Sequence, residues 1–157
     1  MTRRSATALL AVLFLAACGT DDAGDPPPID QPAPPAEAPA QPAETVTADF
    51  GPLDGSGIDG FLTVDASGDQ AVITVSLSNA PEGVYQGHVH GGTCADRTRA
   101  ITPLEPVSVG VDGSGSSVST VDMAAETLLD GNHIVVYHEA GGSPGASVTC
   151  AEIPQRQ

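Results

Sequence analysis

The chain reads as an all-β protein, an antiparallel Greek-key sandwich or barrel, on three observations. From about residue 46 onward, short alternating apolar runs recur at near-regular spacing with Gly-rich turns between them. Aromatic residues are 3 % of the 157 and Trp is absent, so the core must be built from Val, Ile, Leu and Ala, the composition of a small β unit. The only helix-compatible piece, Met123 to Leu129, is short.

The first 45 residues stand outside that fold. Arg3 and Arg4 form a charged start, and Ala6 to Ala17 is an apolar run too short to span a bilayer. The run ends Leu15-Ala16-Ala17-Cys18, which resembles a bacterial lipobox, a motif in which the signal is cut before the Cys and that Cys is lipidated. Residues 1–17 are therefore expected to be a lipoprotein signal peptide. Lipidated Cys18 would then anchor an exported chain to a membrane of the bacterial envelope. Residues 18–45 complete the leader: eight of the fourteen Pro, with Ala, Gln and acids, form a disordered tether without apolar periodicity. Removing Cys18 from the count leaves Cys94 and Cys150, an even pair in an oxidising compartment, and hence an expected disulfide.

The domain, 46–157, follows. Phe61 to Val64 is expected to be a strand, turned by Ala66-Ser67-Gly68-Asp69 into Ala71 to Ser78. In that second run Ala71, Ile73, Val75 and Leu77 share one face, with Thr74, Ser76 and Ser78 opposite. Val107, Val109 and Val111 alternate with Ser108, Gly110 and Asp112, and Gly113-Ser114-Gly115 turns the chain into Ser117 to Val121. His133 to Ala140 and Ser147 to Ile153 complete the set.

Charge narrows the function. The chain has 20 acidic residues and five basic ones, all Arg, with no Lys. Phosphate binding needs clustered Lys or Arg, so nucleic acid is excluded as a partner. The domain itself carries fourteen carboxylates against Arg97, Arg99 and Arg156, a net −11.

The histidines carry the chemistry. His88-Val89-His90 places two imidazoles on one face of a strand, able to converge on a transition-metal ion. The other two, His133 and His138, lie in one later run and differ by five positions, so a regular strand turns them to opposite faces. At most one joins the first pair. His138, at the end of Ile134-Val135-Val136-Tyr137, is favoured; His133 remains a further candidate ligand.

Three segments resemble the Cu/Zn superoxide dismutases. Gly83-Val84-Tyr85-Gln86-Gly87-His88-Val89-His90 is similar to the family segment that supplies two copper ligands. Val135-Val136-Tyr137-His138-Glu139-Ala140 resembles the segment that supplies another. Val148-Thr149-Cys150-Ala151-Glu152-Ile153 looks like the final strand, which carries half of the family's disulfide; Cys94 stands where the other half is expected. Gly55 to Phe61 and Val107 to Val121 match in pattern. The resemblance implies the family's Greek-key fold and copper at His88, His90 and His138. It departs in two places. Only 13 residues separate His90 from Leu104, without the histidines of the family's zinc loop, so no zinc site of that type is expected. Ser147 stands where the family's catalytic Arg is expected, three residues before the second Cys, so no catalytic residue is matched and Arg97 or Arg99 are the candidate substitutes. The expected function is a copper-dependent, superoxide dismutase-like envelope lipoprotein, acting on superoxide. The alternatives are a non-catalytic copper binder, or a structural or interaction sandwich that has lost the chemistry.

Overall fold

The computed structural model describes residues 43–139 and 145–157. The expected signal peptide, Cys18 and the tether up to residue 42 lie outside the described residues, as do 140–144. Alternation in the sequence becomes eight strands: β1 (Glu44–Pro52), β2 (Asp59–Ser67), β3 (Gln70–Ser78), β4 (Gly83–Gly92), β5 (Arg97–Val109), β6 (Gly115–Val121), β7 (His133–His138) and β8 (Ser147–Glu152). A single helical turn, α1 (Ala125–Leu128), sits within the short helix-compatible stretch.

Three boundaries differ from the sequence reading. β1 begins at Glu44, so Glu44 and Thr45, assigned to the tether by composition, are strand residues; Thr45 pairs with Asp65 and its hydroxyl donates to Asp65 Oδ1 at 2.5 Å. β5 starts at Arg97, well before Val107, despite Pro103 and Pro106. It lies at one end of the sheet order with β4 as its one paired strand, the kind of position where Pro is tolerated. Val111, expected to continue the Val107–Val109 alternation, is 91 % exposed in the turn that follows β5, where Gly110 N–H donates to the Ser114 carbonyl.

The sheet order is β5-β4-β7-β8-β1-β2-β3-β6, with every hydrogen-bonded pair antiparallel. β3 and β4 are consecutive in sequence but not neighbours, and β6 and β7 likewise, so two connections cross between the halves in Greek-key fashion. The ends of the order approach each other: the Glu105 N–H on β5 donates to Ser119 Oγ on β6 at 2.8 Å. The result is a nearly closed all-β barrel.

Leu62, Val64, Ile73, Val75 and Leu77 point inward at 0–1 % exposure. Tyr137 is fully buried among them, edge-on to Phe50 with ring centroids 6.0 Å apart. Its hydroxyl lies 3.2 Å from Ser117 Oγ, which satisfies a polar group that burial alone would penalise. The opposite side of β7 is buried as well. Ile134, Val136 and Cys150 form a small second cluster under Leu53 and Cys94. β7 is thus the most enclosed strand, with all six residues buried, and it delivers His138 at its end.

Candidate metal centre

β4 and β7 pair with Gln86 opposite His138, His88 opposite Val136 and His90 opposite Ile134. Those residues share the outer face, so His138 is the diagonal neighbour of His88. β4 departs from regular register with β5 between Tyr85 and Gly87, between Val89 and His90, and between His90 and Gly92. Such bulges bend a strand and re-aim its side chains. Here they flank both histidines of β4.

One ring nitrogen from each of His88, His90 and His138 lies within 4.8 Å of the other two. The ring centroids are 5.5–6.0 Å apart. His90 Nδ1 lies 2.8 Å from the Thr98 carbonyl, and His138 Nδ1 lies 3.1 Å from the Gly145 carbonyl. A carbonyl can only accept, so both Nδ1 atoms carry the proton and both Nε2 atoms keep a lone pair. A backbone acceptor behind a ligating imidazole is how metal sites fix ring orientation and tautomer. His88 Nδ1 and His90 Nε2 are buried and have no hydrogen-bond partner. Unpaired buried nitrogens are costly, and a metal ion would satisfy them. The three residues therefore fit a metal.

Electrostatics favours the neutral rings that ligation requires. Burial, then the proximity of His138 and His90, lowers the pKa of His88. Burial also lowers that of His138, helped by His90 and by the Arg97 charge, against the Gly145 hydrogen bond. Arg97 opens β5 and directly precedes Thr98, whose carbonyl meets His90 Nδ1. Arg97 Nη1 donates to the Cys94 carbonyl.

The remaining candidates fall elsewhere. His133 opens β7, opposite Gly91, at the far end of the strand from His138. Its Nδ1 lies 3.0 Å from Asp130 Oδ1, and the structure does not bring it into the cluster. Arg99 is exposed on β5, and no link to the histidines is found for it among the described residues. Cys94 and Cys150 are joined in a disulfide with Cα atoms 5.8 Å apart. Ser147 Oγ lies 3.4 Å from His138 Nδ1. The carbonyls of Thr98 and Gly145 escape sequence reasoning, because every residue has a carbonyl and none advertises where it points. No known protein-family model matches the chain, and no curated protein matches it.

Proposed function

We propose that the domain binds copper through His88, His90 and His138 and disproportionates superoxide there, on a chain anchored to an envelope membrane by lipidated Cys18. The observation that carries the reading is the converging trio: two of the imidazoles have their Nδ1 protons committed to carbonyls, and two buried ring nitrogens are left without a protein partner. Copper is the metal of choice because imidazole suits it and because three ligands leave a position open.

Copper held by His88, His90 and His138 would supply one-electron chemistry. The chain supplies orientation and charge. The Thr98 and Gly145 carbonyls hold the rings of His90 and His138 in place. Arg97, held by the Cys94 carbonyl and next in sequence to Thr98, would offer a local positive charge for an incoming anion in a domain of net −11. Two superoxide anions and two protons give dioxygen and hydrogen peroxide, so no further oxidant or reductant is needed.

The test is to load the purified protein with copper and measure affinity and superoxide turnover, alongside His88→Ala, His138→Ala and Arg97→Ala. Each histidine variant is expected to weaken copper binding by about 100-fold, and Arg97→Ala to lower turnover at unchanged affinity. Failure to bind copper overturns the reading. Tight binding without turnover above free copper leaves a second one, a copper-holding lipoprotein. Ser147 favours that second reading, since a hydroxyl rather than a guanidinium stands beside His138 on β8.

A further inference from the structure

We propose that Glu152 is a positioning residue that holds the guanidinium of Arg97, the residue before the Thr98 whose carbonyl meets His90, by gripping the backbone of Cys94. The turn between β4 and β5 closes on itself: Thr93 N–H donates to the Asp96 carbonyl and Asp96 N–H to the Thr93 carbonyl, each at 3.2 Å. That pairing leaves both backbone polar groups of Cys94 free for outside partners. The Cys94 N–H donates to Glu152 Oε1 at 3.1 Å, and its carbonyl accepts from Arg97 Nη1. Cys94 Sγ is bonded to Cys150.

Cys150 and Glu152 are two residues apart on β8 and so project from one face. Both grip Cys94, one covalently and one through a charged acceptor, which makes a hydrogen bond roughly twice as strong as a neutral one. A disulfide alone leaves rotation about its side-chain torsions. The second grip fixes the direction of the Cys94 backbone, hence where its carbonyl points, hence where the guanidinium sits. Arg97 makes no ion pair among the described residues, so this carbonyl is its identified tether. The metal-holding residues are independent of the device: Thr98 is secured by its own hydroxyl, which donates to the Gly91 carbonyl at 2.9 Å.

The inference rests on the copper reading for the anion that Arg97 would meet, but its first readout does not. In the purified, metal-free protein, the Arg97 side-chain Nε–H signal should show an ordered guanidinium by heteronuclear NMR relaxation. Glu152→Ala and Glu152→Asp, the latter pulling the carboxylate out of reach, are expected to make it mobile. Glu152→Gln keeps an acceptor oxygen and should restore the order. In the copper-loaded protein, azide, a small anion probe, should bind about five-fold more weakly to Glu152→Ala at unchanged copper affinity. An Arg97 signal as ordered in Glu152→Ala as in the parent overturns the proposal. Failure of copper to bind overturns the copper reading alone, because the metal-free signal still decides the role of Glu152.

Discussion

Single residues decide how tightly the two faces of β4 and β7 meet. Gly87 lies between the bulges of β4, and a Cβ there would fall 2.5 Å from Tyr137 Cζ and 2.8 Å from its hydroxyl. Tyr137 is fully buried and cannot swing away. Gly87→Ala is therefore expected to destabilise the protein by about 1–3 kcal/mol, read from urea unfolding midpoints. Gly92, with φ +99°, is a second glycine of this kind: a Cβ would meet the Asp96 carbonyl at 2.3 Å, inside the turn that presents Cys94. The histidines set the acid response. Burial lowers the pKa of both His88 and His138 in the folded state, so the unfolded chain takes up protons first as the pH falls. Their contribution to stability is complete above about pH 6.5 and is lost as the pH drops through the range below it. Unfolding of the metal-free protein at pH 7.5 and pH 5 should show this loss, and the double variant His88→Gln/His138→Gln should show less of it.

At the scale of elements, β8 joins the two halves of the barrel and anchors the turn that leads into Arg97 at the start of β5. It pairs with β7 along its length, but with β1 through Gly51–Cys150 and Pro52–Thr149. The disulfide spans 56 positions and ties β8 to the turn after β4. In the chain-entropy description a loop of that length contributes about 4 kcal/mol. Cys94→Ser/Cys150→Ser is expected to lose a large part of that in thermal unfolding. It should also weaken anion binding more than copper binding, since the histidines are carried by β4 and β7 and not by the loop. The long β5 is the element that sequence reasoning misjudged most. The alternation is legible only from Val107, whereas the strand begins at Arg97 and carries Pro103 and Pro106 at the end of the sheet order, where Pro is tolerated.

For the molecule as a whole, charge and topology pull in different directions. A domain of net −11 would repel superoxide, the proposed substrate, at long range, while Arg97 would attract it at short range. Salt screens the first more than the second, because the repelling charges are spread over the surface. Superoxide turnover by the copper-loaded protein is thus expected to rise by about two-fold between 0.01 and 0.15 M ionic strength; a positively steered site would slow down instead. The all-β class, the inward face of β3, the short helical turn and the Cys94–Cys150 pair were legible in the sequence, because period-two alternation and cysteine parity are local or countable. The parity of His133 and His138 likewise put them on opposite faces. What parity could not show is which of them meets His88 and His90. That depends on the register of β4 against β7, two strands more than forty positions apart in the chain. Nor could it show that Thr98 and Gly145 turn carbonyls toward two imidazoles, or that Glu152 reaches the Cys94 backbone. Side-chain identity specified the ligand types and the faces they occupy. Only the tertiary structure brought them together, because long-range register and the direction of backbone carbonyls arise from packing and leave no mark on residue identity.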